Sequence, residues 1–370
     1  MTNSPAFEIF LVAVPGLEGP LCAEARAHGF KAKSVPGGVV LNGGWPDVWR
    51  ANLVLRGPSR ILARIDAFRV VHLAKLDARA RQVPWKTFLR RDVPVRVEAT
   101  CKASRIYHSG AAAERIARAI TSEIGAPISD DAAVVIKARI DNDHCTIAVD
   151  TSGDPLHKRG HKEAVAKAPM RETMAALFLR QCGYDGREPV LDPMCGSGTF
   201  VIEAAEIAAG LQPGRSRTFA FEQLATYNAA AWNEMRATGP ATSPALTFYG
   251  RDRDPGAIRM SRANAERAGV TALTDFSETS IEDLIAPEGP PGLVIVNPPF
   301  GDRIGATAKL RPLYRAFGHT LLTRFSGWRA GLITSDETLA HATGLPFALT
   351  AAPVLHGGLR ITLYRTGPLL

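Results

Sequence analysis

The sequence predicts an α/β fold in which a C-terminal, doubly wound and mostly parallel sheet with an antiparallel edge follows smaller α+β units. Three observations lead to this prediction. Strand and helix patterns alternate from residue 188 to residue 342, and helical crossovers require parallel strands. A turn with two glycines follows the first of these strands. An all-apolar run at 293–296 is typical of a strand buried on both faces.

The first 150 residues contain two α+β patterns. In the first, helical patterns at 19–28 and 47–55 alternate with strand patterns at 7–14, 38–41 and 60–68, which fits a small ferredoxin-like domain. In the second, strand patterns lie at 93–99, 134–138 and 145–149, with an amphipathic helix at 111–124. The polar turn at 141–143 joins the last two strands, and 101–105 reads as a basic loop.

The second half of the chain follows a connecting segment at 151–170 and a predicted helix at 170–179. Its predicted strands and helices lie at 188–192, 199–209, 246–250, 255–268, 292–296, 308–325, 329–334 and 337–342. Two final strands, 347–351 and 359–364, are expected to form the antiparallel edge. The segment 210–245 is rich in aromatic residues.

The stretch LDPMCGSGTF at 191–200 reads as strand, tight turn and helix start. Asp192 and Pro193 end the strand, Gly196 and Gly198 allow backbone to approach a ligand, and Thr199 can cap the helix. Such a turn is where open α/β sheets bind ligands. The spacing lacks GxGxxG and GK[ST], which disfavours a dinucleotide or a P-loop phosphate. The motif alone is equally compatible with a purely structural turn.

The stretch GLVIVNPPFG at 292–301 places Asn-Pro-Pro-Phe directly after a buried strand. Two prolines fix φ and remove two amide donors, so the loop is stiff and offers carbonyl groups. A planar base with an exocyclic NH2 fits this loop. Phe300 can stack on the base, while the Asn297 side-chain oxygen and the Pro298 carbonyl accept the two amine hydrogens. The structural alternative is a proline-rich turn with Phe300 in the core.

A third candidate position lies in GRDRDP at 250–255, after the strand pattern at 246–250. An acidic residue at the end of the second strand of such a unit can accept the two ribose hydroxyls of an adenosine. Asp252 is the first candidate. Asp254 precedes Pro255 and a helical pattern, so we expect it to cap that helix.

These motifs together resemble class I S-adenosylmethionine-dependent methyltransferases that methylate amines. With SGDPLHKRGHKEAVAKAPMRETMAALFL at 152–179 and PGRSRTFAFEQL at 213–224, the chain resembles the THUMP-domain RNA guanine-N2 methyltransferases more closely. The resemblance implies methylation of a guanine exocyclic amine in structured RNA, either 23S rRNA or tRNA. It also implies a ferredoxin-like domain (1–66), a THUMP RNA-binding domain (67–152, or from nearer residue 43), a linker with a helix (153–185) and a Rossmann-like methyltransferase domain (186–370).

The resemblance and the motifs together assign the site residues. Catalysis is assigned to Asn297, Pro298 and Phe300. S-adenosylmethionine is assigned to Met170, Asp192, Met194, Cys195, Gly196, Gly198, Thr199, Asp252 and Ser280. Ser280 stands where many such enzymes carry an acidic residue for the adenine amine. The segment 210–245 matches the family and either covers the cofactor or caps the sheet.

Charge points to a phosphate-rich partner. Residues 1–170 hold 25 Lys and Arg against 17 Asp and Glu, whereas residues 171–370 hold 19 of each. The whole formal excess of +8 therefore lies in the first half, which favours RNA binding, although a solubilising surface is the alternative. The predicted RNA contacts are Lys102, Arg105, His108, Lys158, Arg159 and Lys162.

Composition excludes several other classes. At 370 residues and 46% hydrophobic content, the chain fits a globular protein of two or three domains, and no apolar run is long enough to span a membrane. The N-terminus alternates like a strand and lacks a basic leader, so we expect a cytoplasmic protein. We also expect a monomer. Five cysteines without CxxC spacing argue against disulfides and zinc. Gly160 between His157 and His161 disfavours a helical metal pair, and Cys195 is expected to be a turn residue.

Two other functions remain open from the sequence. The Asn-Pro-Pro-Phe loop also suits methylation of adenine N6 in RNA or DNA, and the loop by itself does not distinguish the two bases. A protein of another class, a non-catalytic RNA-binding or assembly factor with a vestigial cofactor site, is disfavoured by the intact motifs. A dehydrogenase is disfavoured because the glycine fingerprint is absent.

Overall fold

The computed structural model describes residues 6–162, 170–237, 244–300 and 306–370. The chain divides into two compact units. The first contains Met1–Ala13, Leu21–Leu156 and Gly214–Thr238, and the second contains Val14–Pro20, His157–Pro213 and Gly239–Leu370. In the described part of the chain, no helix combines the length and apolar character needed to cross a membrane.

The strands are β1 (Phe7–Val12), β2 (Ala32–Val35), β3 (Gly38–Gly43), β4 (Arg60–Arg69), β5 (Val95–Lys102), β6 (Val134–Asp141), β7 (His144–Asp150), β8 (Val190–Asp192), β9 (Phe248–Asp252), β10 (Thr274–Glu278), β11 (Leu293–Val296), β12 (Arg329–Thr334), β13 (Leu349–Thr350), β14 (Val354–His356) and β15 (Leu359–Arg365). The helices are α1 (Glu18–Ala27), α2 (Trp45–Val54), α3 (Leu73–Gln82), α4 (Ser109–Ile124), α5 (Glu172–Gln181), α6 (Thr199–Ala208), α7 (Ala229–Ala237), α8 (Pro255–Ala268), α9 (Ala306–Arg324) and α10 (Glu337–Ala342).

The first unit is built on one sheet with the strand order β2-β3-β1-β4-β7-β6-β5. The pairs are antiparallel except for β5 with β6, which is parallel. β1 to β4 with α1 and α2 form the β-α-β-β-α-β arrangement of a ferredoxin-like fold. The predicted turn after β6 has Asn142 at φ 50° and Asp143 at φ 62°, as a two-residue hairpin turn requires.

The aromatic segment after residue 213 packs within the first unit. Phe221 lies 5.0 Å from Trp232 and 6.2 Å from Trp49 of α2, measured between ring centroids. The Gly214 amide donates to the Leu53 carbonyl at 3.0 Å. A Cβ at Gly214 would lie 2.7 Å from the Asn52 carbonyl oxygen, so only glycine permits this approach. This part of the segment therefore packs on α2 of the first unit. The expectation that the segment 210–245 covers the cofactor or caps the sheet stays a prediction.

The second unit contains the doubly wound sheet that the sequence predicts. Its strand order is β10-β9-β8-β11-β12-β15-β13, with β14 paired to β15. Strands β8 to β12 are parallel, and β15 runs antiparallel to β12. The chain moves from β8 to β9 and β10 on one side, then returns to β11 on the other. The carboxyl ends of β8 and β11 consequently flank a topological switch point, where α/β sheets of this kind bind ligands.

Candidate active site

The glycine turn after β8 has a backbone geometry that favours glycine at two positions. Gly196 and Gly198 have φ of 54° and 81°, values that L side chains rarely adopt. The Cys195 amide donates to the Arg251 carbonyl at 2.9 Å, which ties the turn to the end of β9. A Cβ at Gly198 would approach Ser261 of α8 to 3.1 Å. The turn is thus held in place, and its glycines leave the backbone open to a ligand.

Asp252 connects this turn to the end of the second strand. Its Oδ2 accepts from the Gly196 amide at 2.9 Å, and its Oδ1 accepts from the Asp254 amide at 3.0 Å. Asp254 accepts from the Gly256 amide at 2.8 Å and caps α8, which confirms its predicted capping role. Each oxygen of the Asp252 carboxylate retains acceptor capacity, because a carboxylate has about four lone-pair sites.

Asp192 lies beneath the turn and shapes it. It is 3% exposed, and its Oδ1 accepts from the Met194 amide at 3.1 Å. Burial, together with the nearby charge of Asp252, raises the pKa of Asp192 to about 8. Burial also raises the pKa of the Cys195 thiol well above its usual value, so this cysteine is a packed turn residue and a poor nucleophile.

A cavity of about 1190 Å³ opens beside the turn. Loops that are about a hundred residues apart in the chain meet here, as the motifs predict. The predicted catalytic and cofactor residues that line it are Met170, Met194, Gly196, Asp252, Asn297, Pro298 and Phe300, and the predicted RNA contacts that line it are Lys158 and Lys162. The predicted cofactor residues that do not line it are Asp192, Cys195, Gly198, Thr199 and Ser280.

The Asn-Pro-Pro-Phe loop carries an unsatisfied acceptor. Among the residues that the structure describes, none donates a hydrogen bond to the buried Oδ1 of Asn297. The loop is held by the Tyr314 hydroxyl, which lies 3.3 Å from the Pro299 carbonyl oxygen. Leaving a buried acceptor unpaired costs about 1 to 3 kcal/mol. A ligand with N–H groups would recover that cost.

Ser280 takes a different place from the one predicted. Its hydroxyl donates to Asp283 Oδ2 at 2.7 Å and accepts from the Asp283 amide at 3.2 Å, so it closes a local turn. Its neighbours Thr279 and Ile281 line the cavity. Thr279 is therefore the better candidate for a polar contact from this segment, and the assignment of Ser280 is corrected.

The basic segment HKRGHK at 157–162 contacts α6 through two of its side chains, which are buried. Arg159 is 2% exposed, and its guanidinium lies 3.2 Å from Glu203 Oε1. His161 Nε2 lies 3.4 Å from Glu206 Oε1. These contacts correct the prediction that Arg159 binds RNA, because its charge is buried against a carboxylate. Lys158 is exposed and lines the cavity, so it stays a candidate.

Lys162 is likewise held by protein groups. Its ammonium lies 2.9 Å from Thr199 Oγ1, 3.1 Å from Glu172 Oε1 and 3.0 Å from the Met170 carbonyl. Its side chain is 11% exposed and lines the cavity, so its assignment as an RNA contact stays a prediction. In the described ranges, no group of three or more His, Cys, Asp or Glu side chains could hold a metal ion.

The predicted RNA contacts of the first unit lie around the start of α4. Lys102 ends β5 and is exposed, and Arg105 lies 3.7 Å from Asp143 with most of its side chain exposed. His108 caps α4 by accepting from the Ala111 amide at 3.1 Å. Tyr107, which the sequence reasoning missed, is 84% exposed. An aromatic residue beside exposed cations is a signal for nucleic-acid contact that the sequence already carried.

Three further cavity residues were missed from the sequence: His157, Arg171 and His356. Arg171 immediately precedes α5, and His157 belongs to the basic segment. His356 lies next to Gly357 and Gly358, a glycine pair that marks a tight hairpin. The glycine pair and the basic segment can both be recognised in the sequence, but the sequence does not show that they meet at one cavity.

Comparisons with known proteins identify the family of the chain. Residues 159–364 match the family described as UPF0020, RMKL-like methyltransferase domain, and residues 8–62 match the RlmL ferredoxin-like domain. A ribosomal RNA large subunit methyltransferase K/L of Syntrophotalea carbinolica is 33% identical over 361 residues, which cover 91% of this chain and 50% of that protein. The relative of the same name in Chromohalobacter salexigens is 32% identical over 365 residues, covering 93% of this chain and 50% of that protein. The chain thus spans about half the length of these relatives.

Solved structures match over nearly the whole chain. A possible methylase from Clostridium difficile is 26% identical, with a TM-score of 0.90 and coverage of 99% of both chains. A predicted N6-adenine-specific DNA methylase from Listeria monocytogenes is 28% identical, with a TM-score of 0.89 and coverage of 98% of this chain and 97% of the other. These matches confirm the methyltransferase fold, and the family match confirms S-adenosylmethionine as the cofactor. The chain belongs to the UPF0020 family of RMKL-like methyltransferase domains.

Proposed function

We propose that this chain transfers a methyl group from S-adenosylmethionine to the exocyclic N2 amine of a guanine in structured RNA, either rRNA or tRNA. The observation that carries the proposal is the buried Oδ1 of Asn297, which has no hydrogen-bond partner among the described residues. Asn297 lines the same cavity as the glycine turn and Asp252. The names of the relatives, which are ribosomal RNA methyltransferases, support an RNA substrate.

The residues of the cavity fit this cofactor. Ligand pockets commonly measure about 300 to 1,000 Å³, so a cavity of about 1190 Å³ has room for a donor and a nucleobase. Asp252 offers lone pairs for ribose hydroxyls, and Met170 and Met194 offer apolar surface. When bound, S-adenosylmethionine supplies an electrophilic methyl group on a sulfonium.

The loop after β11 would orient the nucleophile. The lone pair of a guanine amine is delocalised into the ring, so the amine is a weak nucleophile. Hydrogen bonds from the amine to Asn297 Oδ1 and the Pro298 carbonyl would turn that lone pair toward the methyl group. Positioning of this kind can contribute about 7 to 11 kcal/mol in favourable cases. The chain needs no strong base, because the amine becomes acidic as it is methylated and can release its proton to water.

A base inside a duplex does not reach this loop. The target is therefore expected to be single-stranded or flipped out of its helix. Phe300 lines the cavity and is half-buried, so a base can stack on its ring. Stacking of this type is worth about 1 to 3 kcal/mol and would offset part of the unstacking cost.

Methylation of adenine N6 is the second candidate. An adenine also presents an exocyclic NH2, and the similar structure from Listeria monocytogenes is described as a predicted N6-adenine-specific DNA methylase. The two acceptors of the loop suit either amine. They do not suit a ring nitrogen such as guanine N7, which has no hydrogen to donate. The basic first half of the chain favours RNA over DNA as the nucleic acid.

The test uses rRNA and tRNA from a strain that lacks this protein. We expect the purified chain to methylate one of them, and nucleoside digestion with mass spectrometry to identify N2-methylguanosine. Asn297→Ala should abolish transfer without weakening RNA binding, whereas Asn42→Ala, at an exposed asparagine of β3, should leave transfer unchanged. N6-methyladenosine as the product would replace the proposal with the second candidate. Full activity of Asn297→Ala would refute the assigned role of the loop.

A further inference from the structure

The lining of the cavity includes a guanidinium and two imidazoles from three separate segments, and the charge of the guanidinium acts on both imidazoles. We call these three residues the basic wall. Arg171 precedes α5, His157 lies in the segment before α5, and His356 ends β14. All three line the cavity, together with Lys158. None of them has a part in the proposed transfer step.

The backbone of Arg171 is fixed from both sides. Its carbonyl accepts the first hydrogen bonds of α5, at 3.0 and 2.9 Å. Its neighbours Met170 and Glu172 are buried and are both held by Lys162, which lies 3.0 Å from the Met170 carbonyl and 3.1 Å from Glu172 Oε1. Arg171 itself is exposed, and in the described part of the chain its guanidinium has no ion pair. The Arg171 guanidinium therefore extends from a backbone that is fixed in position.

The hairpin between β14 and β15 fixes His356 in a similar way. His356 pairs with Leu359 across a turn made of Gly357 at φ 58° and Gly358 at φ 90°. Two consecutive residues with positive φ make the tight turn that suits a two-residue hairpin. The hairpin end thus holds His356 at the cavity.

The electrostatics of this wall indicate a place for an anion. Burial lowers the pKa of His157 to about 4, and the charges that lower it further are Arg171, Arg159, Lys162 and Lys158. Burial and Arg171 also lower the pKa of His356. Among the described residues, no carboxylate counts among the charges that shift these two imidazoles. The lowered pKa favours the neutral form of both rings, and a neutral imidazole has one N–H donor to offer beside the exposed guanidinium.

We propose that Arg171, His157 and His356 bind a backbone phosphate of the target nucleotide. The proposal rests on the proposed function, because it requires a nucleic-acid substrate in this cavity. Guanidinium groups bind the oxygens of phosphate in a bidentate manner. The methyl donor also carries an oxyanion, its carboxylate, whose two oxygens lie in one plane with a single carbon atom. A phosphate is tetrahedral, so donors that come from three separate segments match a phosphate better.

The first experiment compares Arg171→Gln with Arg180→Gln, which removes the same charge from the last turn of the same helix. With RNA from the strain lacking the protein, Arg171→Gln should raise KM for RNA about tenfold or more, because a hydrogen bond to a charged group is lost. Arg171→Lys should recover part of that loss. Affinity for S-adenosylhomocysteine, measured by calorimetry, should stay unchanged. A loss of that affinity at unchanged KM would assign the wall to the cofactor carboxylate and overturn the proposal.

The second experiment does not depend on activity, so it separates this proposal from the proposed function. NMR titration of the His157 and His356 ring signals is followed with inorganic phosphate and with chloride at matched ionic strength. Phosphate should raise the pKa of both imidazoles, and Arg171→Gln should abolish that response. Equal behaviour in phosphate and chloride would refute the site even if the wild-type chain methylates RNA.

Discussion

At the residue scale, Asp252 has two tasks. It accepts backbone hydrogen bonds that join the glycine turn to the end of β9, and it lines the cavity where ribose hydroxyls would bind. We expect Asp252→Ala to weaken binding of S-adenosylhomocysteine about tenfold or more, since hydrogen bonds to a charged acceptor are lost. Titration calorimetry measures this affinity. Asp254→Ala removes the cap of α8 and leaves the Asp252 carboxylate in place. Although Asp254 also lines the cavity, this variant should reduce stability and change the affinity less than Asp252→Ala does; an equal loss in both variants would contradict the assignment.

Asp192 makes stability depend on pH in a predictable direction. Its pKa of about 8 in the folded chain lies above the value of about 3.9 for an unfolded aspartate. The folded state therefore binds the extra proton between these values, and the stability that this proton contributes is lost as pH rises toward 8. Asp192→Asn resembles the protonated form. We expect its melting temperature to exceed that of the wild type at pH 8, and the difference to shrink toward pH 4; a difference independent of pH would show that Asp192 is ionised in the folded chain.

At the scale of elements, the basic segment at 157–162 joins the chain before α5 to helix α6 through buried ion-pair contacts. Arg159 contacts Glu203, and both side chains are almost fully buried. Removing one partner of a buried ion pair typically costs about 3 to 5 kcal/mol. Arg159→Ala should therefore lower the free energy of unfolding by about that amount, measured by chemical denaturation.

The matched control is Arg187→Ala, because Arg187 lies 3.6 Å from Asp185 in a largely exposed pair. Exposed pairs contribute about 0 to 1 kcal/mol, so this variant should unfold nearly as the wild type does. If Arg159→Ala were equally harmless and instead weakened RNA binding, the original prediction of an RNA contact would be restored.

Elements with a clear apolar face were predictable from the sequence. α8, β12 and α10 begin and end where their patterns predict. β2, α3 and β10 were missed for a physical reason. β10 buries only Phe276, and α3 buries only Leu76 and Ala80, so neither repeats apolar residues often enough to stand out. Tertiary pairing at a sheet edge, which local sequence does not record, decides the structure of β10.

In the candidate site, residues of short motifs were predictable, and residues held by side chains of other elements were not. The turn, Asp252 and the Asn-Pro-Pro-Phe loop lie in short motifs at strand ends, so their meeting follows from sheet topology. The burial of Arg159 and Lys162 depends on Glu203 and Glu172, which lie on other elements. A run of basic residues looks the same whether it faces solvent or a row of carboxylates, and the sequence therefore suggested exposure.

At the scale of the whole molecule, the first unit is not one continuous stretch of chain. Gly214–Thr238 returns to it, and its rings pack on Trp49. A fragment of residues 1–170 would leave this aromatic surface uncovered. RNA binding is therefore best measured on the full chain with substitutions.

The charge asymmetry then gives a testable expectation for RNA affinity. Each phosphate contact releases counterions, so losing one contact reduces the slope of log K against log salt concentration by about one. We expect Lys102→Ala and Arg105→Ala each to reduce that slope by about this amount, and to weaken binding similarly for different RNA sequences. Filter binding over a range of salt concentrations measures the slope, with Arg187→Ala as an exposed cation from the neutral half. Unchanged slopes in both variants, or an equal reduction in the control, would show that the charge excess of the first half does not form the RNA-binding surface at these positions.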